Sequence, residues 1–318
     1  MSPLVSVVIP TYNRASMVCD CVTSVLATDY PDLEVIVVDD CSPDDTGPRI
    51  KERFGADARV RYVRNETNLL AAGSRNRGGD AANGDYLFFL DDDNLVDANA
   101  IVELLASFDR HPDAGLVAPL IVNRRDGEGD VIWVTRADFN RWTSLPVGEN
   151  DGMALREVPD VPFDHPSTYS QNGFMVSRCV WRKVGGLDAS LVMNYEESDF
   201  GWRVKEAGYG VYISARARTV HLGFLEPGCV SRLRLLGLER RERAYHLACN
   251  RIRFARRHFS FVQALSVAFV FAPLLTVYYS GIALANRRAD IAWAYVTGTL
   301  AGIFHFYPWT HPAIGEGA

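Results

Sequence analysis

The sequence lacks an excess of basic charge, since 33 Lys and Arg residues stand against 39 Asp and Glu and give a formal net charge of −6. Because a protein that neutralises nucleic-acid phosphates needs a basic face, this balance argues against a nucleic-acid partner. The six cysteines include no C-x-x-C pair, which argues against a zinc site or a disulfide framework and indicates a reducing compartment. The first residues carry no basic segment followed by an apolar one, so we expect no cleavable signal peptide.

The composition is that of a folded chain. Apolar residues make up 48% and aromatic residues 11% of the 318 positions, and the 25 Gly and 15 Pro are ordinary counts. These values exclude intrinsic disorder and collagen-like structure. The length allows one large domain or two small ones with a sizeable core.

Short apolar runs alternate with helical patterns through the first two thirds of the chain. Strands are predicted at residues 5–9, 35–38, 61–63 and 86–90, and helices at residues 17–27 and 48–54. This alternation is typical of a mostly parallel sheet with helices on both faces. Ligands of such sheets bind beyond the carboxyl ends of the strands, so we expect the chemistry there.

The C-terminal part has a different character. Residues 231–259 hold nine arginines and two acids, and residues 261–285 and 291–315 contain no Asp, Glu, Lys or Arg. A helix of 25 residues is about 38 Å long, more than the ~30 Å hydrocarbon core of a bilayer. We expect a membrane-embedded hairpin, with the arginines and the preceding domain facing the cytosol and its anionic lipids. The alternative is a helical pair buried against the main domain.

Three consecutive carboxylates, Asp91, Asp92 and Asp93, follow the predicted strand at residues 86–90. Clustered like charges are unfavourable unless a cation or hydrogen-bond donors compensate them. Carboxylate oxygens suit Mg²⁺ or Mn²⁺ bridged to phosphates, so the triplet predicts a metal site. The alternative is that these acids cap the helix predicted to begin near Asp97.

Two further acidic groups have less specific patterns. Asp39 and Asp40 follow the strand at 35–38 and could accept hydrogen bonds from a base or ribose, or could simply be solvated. Glu196, Glu197 and Asp199 open a predicted helix that runs to about Ala207, where acids also stabilise the helix dipole.

Taken together, these segments resemble family 2 of the inverting glycosyltransferases. The segments that carry the resemblance, in the order and spacing of that family, are residues 5–13 (VSVVIPTYN), 39–40, 68–78, 91–93, 185–188 and 196–199. The resemblance covers about residues 4–258 and implies a GT-A fold: an α/β, Rossmann-like, mostly parallel mixed sheet flanked by helices. It implies a catalytic domain at residues 1–225, divided into a nucleotide-binding half (1–93) and an acceptor half (94–225). A basic amphipathic segment (226–259) and a hydrophobic membrane-associated helical hairpin (260–318) then follow.

The resemblance also implies roles for individual residues. The nucleobase and ribose pocket is expected to be lined by Pro10, Thr11, Tyr12 and Asp40, with Asp39 beside it, and Arg75 is expected to help hold the nucleotide. Asp93 and Asp91 are expected to bind Mg²⁺ or Mn²⁺, with Asp91 or Asp92 near the ribose. His221 matches a histidine that approaches the metal or the diphosphate, although a lone histidine can equally be structural. Glu197 matches the catalytic base.

Three positions depart from the family pattern. Leu70 stands where the family has Gly, which leaves the backbone path of that loop open. Glu197 replaces the commoner Asp and reaches one methylene further. Gly201, Trp202 and Arg203 lack the Gln-x-x-Arg-Trp signature of processive synthases, which favours addition of a single sugar.

The function implied is metal-dependent transfer of one sugar, with inversion, from a nucleotide-diphosphate sugar to an acceptor hydroxyl or lipid-linked acceptor. The expected place is the cytosolic membrane face, in cell-surface polysaccharide or glycan assembly. The alternatives are a non-catalytic membrane scaffold with the same fold and a sugar nucleotidyltransferase. The second is disfavoured because the first loop, residues 11–14, has no glycine to hold a triphosphate.

Overall fold

The structure, a computed structural model, describes residues 2–125, 129–157, 164–170, 172–222 and 232–304. The strands within these ranges are β1 (Val5–Thr11), β2 (Leu33–Asp39), β3 (Val60–Arg64), β4 (Tyr86–Leu90), β5 (Asn94–Val96), β6 (Ala114–Arg125), β7 (Gly129–Ile132), β8 (Arg136–Asn140), β9 (Leu145–Glu149), β10 (Asp164–Pro166), β11 (Gly173–Ser177) and β12 (Gly210–His221). The helices are α1 (Ala15–Leu26), α2 (Thr46–Phe54), α3 (Leu70–Ala81), α4 (Ala100–Arg110), α5 (Arg178–Val184), α6 (Glu196–Glu206), α7 (Arg232–Leu235), α8 (Arg241–His258), α9 (Phe261–Ser266), α10 (Ala272–Ala285) and α11 (Ala289–Phe304).

Ten strands form one mixed sheet in the order β10-β12-β6-β11-β4-β1-β2-β3, with β5 paired to β12 and β7 to β6. Strands β1, β2, β3 and β4 run parallel. Their apolar residues are buried on both faces, against α1, α2 and α4 on one side and α3, α5 and α6 on the other. The predicted α/β class and the predicted strands are therefore confirmed.

Strand β11 joins the two predicted halves of the catalytic domain. It runs antiparallel between β4 and β6 and is hydrogen-bonded to both. Beyond β6, the long strand β12 runs parallel to it and ends at His221. The sheet is thus continuous across the predicted 93/94 boundary, whereas the predicted boundary at residues 225 and 226 lies outside the described residues.

The apolar C-terminal segment forms a helical hairpin. A π-helical turn at Val267–Phe271 joins α9 to α10 in one continuous helix. This helix, Phe261–Ala285, is the one among the described residues that is long and apolar enough to cross a membrane. Helix α11 returns beside α10, with Thr276 and Thr299 hydroxyls 2.7 Å apart. Residues 305–315 of the second predicted apolar run lie outside the described residues.

Helix α11 also packs closely on the arginine-rich helix α8. A Cβ at Gly298 would lie 2.3 Å from the Tyr245 carbonyl oxygen, and one at Gly302 would lie 2.9 Å from that of Cys249. Only glycine allows the two backbones to approach so closely. The G-x-x-x-G spacing therefore brings α11 against α8.

The expectation that the arginines of residues 231–259 face anionic lipids is wrong for several of them. Arg251 and Arg253 are buried, and Arg253 and Arg257 form hydrogen bonds or ion pairs with residues 188–199 of the main domain. A buried guanidinium needs a polar partner, and the main domain supplies carbonyls and carboxylates. Arg241 and Arg243, at the start of α8, are exposed.

Candidate active site

The ends of β1 and β2 lie side by side, with Thr11 opposite Asp39 in the parallel register. Asp39 is fully buried, and it accepts hydrogen bonds from the Ser42 amide (2.8 Å), the Tyr62 hydroxyl and the Arg64 guanidinium. Burial acts to raise the pKa of Asp39, but these hydrogen bonds and the charge of Arg64 bring it below its usual value. Asp39 therefore anchors the loop that follows β2.

The neighbouring carboxylate, Asp40, organises the start of α3. Its Oδ1 accepts hydrogen bonds from Asn65 Nδ2 (2.8 Å) and the Leu69 amide (2.7 Å), and its Oδ2 accepts one from the Leu70 amide (2.8 Å). Leu70 has a φ of 61°, in the left-handed region that favours glycine. The loop thus keeps a glycine-like path at Leu70, held by the carboxylate of Asp40.

Pro10, Thr11 and Tyr12 lie where β1 leaves the sheet. Thr11 is buried and donates a hydrogen bond to Asp92 Oδ2 over 2.7 Å, whereas Tyr12 is half-exposed. An exposed aromatic ring beside buried polar groups could stack on a base. The structure thus places three predicted nucleotide-site residues next to the aspartate triplet.

The three aspartates after β4 point to different partners. Asp91 accepts a hydrogen bond from Arg75, while Arg14 Nη1 donates to Asp92 Oδ1 (2.9 Å) and to Asp93 Oδ2 (3.0 Å). Helix α4 begins at Ala100 and has Asn99 at its capping position, so the triplet lies upstream of that cap. The predicted alternative, in which these acids cap a helix, is therefore not what the structure has.

The pKa values of two members of the triplet shift in opposite directions. Burial, with the charges of Asp93 and Asp91 adding to it, raises the pKa of Asp92 to about 6 against the effects of Thr11 and Arg14. Burial also acts to raise the pKa of Asp93, but the hydrogen bonds and charges of His221 and Arg14 bring it below its usual value. Asp93 is therefore the more firmly ionised of the two.

His221, the last residue of β12, lies beside Asp93. Its Nε2 is 3.6 Å from Asp93 Oδ2, and its Nδ1 is 3.1 Å from Asn123 Oδ1. The Trp133 ring packs against the imidazole with centroids 5.1 Å apart. The sheet thus brings together Asp93 and His221, which are predicted to act on the same cation.

A divalent cation fits this pair of side chains. Asp93 Oδ1 is buried and has no hydrogen-bond partner among the described residues, as expected of an oxygen that is free to bind a metal. The described residues contain no ready-made group of three or more His, Cys, Asp or Glu side chains around one point. Asp91, the third predicted ligand, is directed towards Arg75.

Glu197 lies in the first turn of α6. Arg75 Nη2 is 2.9 Å from Glu197 Oε1, and the Asn172 amide donates to Oε2 over 3.2 Å. Within the described part of the chain, Oε1 accepts no well-aligned hydrogen bond. Burial raises the pKa of Glu197 to about 7, with Asp91 and Glu196 adding to the shift and Arg75 opposing it.

Arg75 connects the two parts of the site. It is buried on α3 and contacts both Asp91 and Glu197, so its charge offsets two carboxylates. Such an arrangement holds one carboxylate next to the predicted nucleotide and another next to a predicted acceptor. The predicted nucleotide site and the predicted base therefore meet at one guanidinium.

Several residues of the site were not predicted. Arg14 directly follows the motif at residues 5–13, and its position after the first strand was the available signal. Asn172, by contrast, belongs to the loop at residues 169–173 before β11, which the sequence predicts to shape the acceptor pocket, and Gln171 of this loop lies outside the described residues. Asn123 and Trp133 carry no recognisable sequence signal, because only the pairing of β6, β7 and β12 brings them to His221.

The chain is similar to known sugar-transferring proteins over its first half. The family described as Glycosyl transferase family 2 matches residues 6–168. "Glycosyltransferase GlyG" of Streptococcus pneumoniae is 34% identical over 140 residues, which are 44% of this chain and 46% of that protein. The "GalNAc(5)-diNAcBac-PP-undecaprenol beta-1,3-glucosyltransferase" of Campylobacter jejuni is 36% identical over 104 residues, 32% of this chain and 34% of that one. The chain thus spans less than half the length of these relatives.

Two solved structures have the same fold. The mannosyltransferase PcManGT from Pyrobaculum calidifontis, in complex with GDP-Man and Mn²⁺, superposes with a TM-score of 0.58 at 15% identity, covering 96% of this chain and 88% of that one. GalNAc-T7 with UDP, GalNAc and Mn²⁺ superposes with a TM-score of 0.60 at 19% identity, covering 87% and 58%. These likenesses concern the fold, which is the predicted GT-A fold. Because the family match covers more than half of its residues, the chain belongs to glycosyl transferase family 2.

Proposed function

We propose that the protein transfers one sugar, with inversion, from a nucleotide-diphosphate sugar to a hydroxyl of a lipid-linked or glycan acceptor. The observation that carries this proposal is the Glu197 carboxylate, only 14% exposed and 2.9 Å from Arg75, which also binds Asp91 at the predicted nucleotide site. A base must lie close to the donor but on the side from which the acceptor attacks. The contacts of Arg75 with both Glu197 and Asp91 support such a relation between the proposed base and the donor.

The donor is proposed to bind at the carboxyl ends of β1, β2 and β4. Pro10, Thr11, Tyr12, Asp39 and Asp40 shape the pocket for the base and ribose, directly or by holding its loops. Arg75 helps to hold the nucleotide, and Asp91 or Asp92 lies near the ribose. The solved structures of this fold with UDP or GDP-Man support a nucleotide-diphosphate sugar as the donor.

When bound, Mg²⁺ or Mn²⁺ held by Asp93 and His221, with Asp91 as the predicted third ligand, supplies positive charge that stabilises the leaving diphosphate. Two solved structures of this fold contain Mn²⁺, which supports that choice of ion. Arg14, which lies against Asp92 and Asp93, adds a second positive charge on the same side.

Glu197 accepts the proton of the acceptor hydroxyl at Oε1. The new bond forms between the acceptor oxygen and the anomeric carbon while the bond from that carbon to the diphosphate oxygen breaks. Attack from the side opposite the diphosphate inverts the anomeric centre. Trp202 and Arg203 of α6 are buried, and Arg203 is paired with Asp199. The absence of the Gln-x-x-Arg-Trp signature at residues 201–203 supports a single addition.

The acceptor is proposed to be presented at the cytosolic face of a membrane. Large apolar side chains of the hairpin are exposed, among them Phe261, Phe269, Leu274, Val277 and Trp293. An exposed apolar face of this size marks a contact with lipid or protein. The named undecaprenol-linked acceptor of the Campylobacter relative and the teichuronic and colanic acid roles given to Bacillus and Escherichia relatives support polysaccharide assembly.

A donor screen tests the proposal. The full chain in detergent would be incubated with radiolabelled UDP-, GDP- and dTDP-sugars, Mn²⁺ and a polyprenyl-phosphate extract. We expect transfer from one donor class, loss of transfer in EDTA, and a product of inverted anomeric configuration by NMR. No binding of any nucleoside diphosphate by calorimetry would instead identify a non-catalytic scaffold.

A further inference from the structure

The segment that leads into the helix of Glu197 has an unfavourable backbone. Val192, Asn194 and Tyr195 have φ values of 63°, 63° and 72°, although none of them is glycine. The Met193 amide donates to the Leu191 carbonyl over 2.6 Å, which closes a tight three-residue turn around Val192. Residues with side chains keep such conformations only where the surrounding structure holds them.

One side chain of α8 holds this segment. Asn250 is fully buried, and its Nδ2 donates to the carbonyl oxygens of Leu191 (2.5 Å), Met193 (3.0 Å) and Asn194 (3.2 Å). The Leu191 carbonyl ends a short 3₁₀ turn and also accepts the Met193 amide, whereas the Met193 and Asn194 carbonyls lie outside regular secondary structure. Because an unpaired buried carbonyl is costly, the amide of Asn250 stabilises this path over the alternatives.

Further contacts from α8 fix the same region. Arg253 Nη1 is 3.4 Å from Asn250 Oδ1, which orients the amide with Nδ2 towards the carbonyls, and it also donates to the Ser190 carbonyl (2.9 Å). On the other side of Glu197, Asp199 Oδ1 is 2.9 Å from both Arg257 Nη1 and His258 Nε2. The first turn of α6 is thus held by α8 both before and after Glu197.

We propose that Asn250 is a positioning residue that fixes Glu197 in its catalytic place by holding the left-handed turn at residues 191–195. This inference rests on the proposed function, in which Glu197 is the base. If the turn relaxes, the first turn of α6 can rotate and move Oε1 away from Arg75 and the acceptor. A displacement of about 1 Å at a reacting group can lower a rate by about 100-fold.

The opposite side of α8 carries the C-terminal hairpin. Arg251, next to Asn250 in the chain, donates from Nη1 to the Tyr295 hydroxyl of α11 over 2.8 Å. Helix α8 therefore lies between the apolar hairpin and the segment that positions Glu197. The same helix therefore contacts both the segment before Glu197 and the hairpin that is proposed to contact the membrane.

The test is the variant Asn250→Asp, which keeps the shape of the side chain but removes the donor. In the full chain we expect kcat to fall at least 100-fold, with the donor KM and the Mn²⁺–UDP or Mn²⁺–GDP affinity within threefold of wild type. The midpoint of the kcat–pH profile should fall below about 7, because Glu197 becomes more exposed and loses the effect of burial on its pKa. Hydrogen exchange should accelerate at residues 189–199 and stay unchanged in β1, β2 and β4.

Two further variants make the result specific. Asn286→Asp is the matched control, because Asn286 Nδ2 also donates to a carbonyl, that of Ile282 (2.8 Å), but at the end of α10. It should leave kcat and the pH profile unchanged. If Asn250→Asp does not fold, Asn250→Ala combined with Val192→Gly replaces it, since glycine adopts the turn without strain. The double variant should have a kcat at least tenfold higher than that of Asn250→Ala alone.

The outcomes for Asn250 and for the base are separable. If Glu197→Gln is inactive while Asn250→Asp retains its kcat and its pH midpoint, the positioning role is wrong and the base assignment stands. If Asn250→Asp loses nucleotide affinity as much as kcat, the residue stabilises the whole domain and the positioning role is equally wrong. If Glu197→Gln is active, the proposed function itself fails.

Discussion

Arg75 Nη2 lies 2.9 Å from Glu197 Oε1, so one buried guanidinium pairs with the proposed catalytic base and also binds Asp91. Burial raises the pKa of Glu197 to about 7 in spite of this contact. A base acts in its deprotonated form, whose population rises with pH up to the pKa. We expect kcat to rise about tenfold per pH unit below about pH 7 and to level off above it. A kcat that is flat from pH 5.5 to 8 would contradict this assignment.

Glu197→Gln should have opposite effects on activity and on stability. Loss of the base should lower kcat by about 10²–10⁴-fold, with metal–nucleotide affinity retained. A pKa raised in the folded state means that ionisation destabilises the fold as pH rises through about 7. The neutral amide should therefore increase the free energy of unfolding at pH 8 by about 1–2 kcal/mol. Glu52→Gln, at an exposed position of α2 away from the site, is the control and should change neither quantity.

Metal affinity should depend on Asp93 more than on an acid outside the site. Asp93→Asn removes an ionised ligand next to His221, so Mn²⁺ affinity measured by calorimetry with UDP or GDP should fall more than tenfold. Asn123→Ala, which removes the partner of His221 Nδ1, should lower it by about tenfold. Asp20→Asn, at an exposed position of α1, should have no effect. Unchanged affinity in Asp93→Asn would remove Asp93 from the site.

Leu70→Gly should not destabilise the protein. The left-handed φ of 61° costs a leucine about 1–2 kcal/mol, which glycine avoids, and this offsets the greater flexibility of glycine in the unfolded chain. Leu69→Gly is the matched control, because Leu69 is equally exposed but has a φ of −97°. We expect thermal unfolding to show no loss for Leu70→Gly and a loss of about 0.4–1 kcal/mol for Leu69→Gly, because the unfolded chain gains flexibility and no strain is relieved.

Two glycines of the hairpin should respond oppositely to alanine. Gly298→Ala places a methyl group 2.3 Å from the Tyr245 carbonyl oxygen and should separate α11 from α8, lowering the melting temperature. Gly281→Ala meets nothing within 4 Å, and because alanine favours helix by about 1 kcal/mol it should be neutral or stabilising. Equal melting temperatures for the two variants would show that the close packing of α11 is unimportant.

The fold was predictable because its strands have a strong local signal. The runs at β1, β2 and β4 are apolar and β-branched or aromatic, and each is followed by the polar residues that the family pattern identifies. The GT-A fold and family membership predicted from these motifs are confirmed. Leu70 was identified as a departure from the family pattern, which has Gly at this position. The structure shows why a leucine is accepted there, since its amide donates a hydrogen bond to Asp40 that holds the left-handed backbone.

What could not be predicted depends on contacts between distant parts of the chain. The nine arginines of residues 231–259 indicated a lipid-facing surface, yet Arg251 and Arg253 lie inside the protein. Composition shows how many charged residues a segment has. It does not show which carbonyls or carboxylates of the main domain will pair with them in the folded chain. The turn held by Asn250 was likewise invisible, because Val192 and Tyr195 are residues that rarely adopt a left-handed backbone.

The seating of β11 between β4 and β6 has a consequence for any attempt to exchange parts of this chain. Replacing everything after residue 93 would remove β11, and the backbone amides and carbonyls on that edge of β4 would lose their hydrogen-bond partners. A chimera that alters sugar or acceptor preference should therefore keep β11 with β4 and replace only the loops between strands. Diversification of such a protein is expected to occur by loop exchange on an undivided sheet.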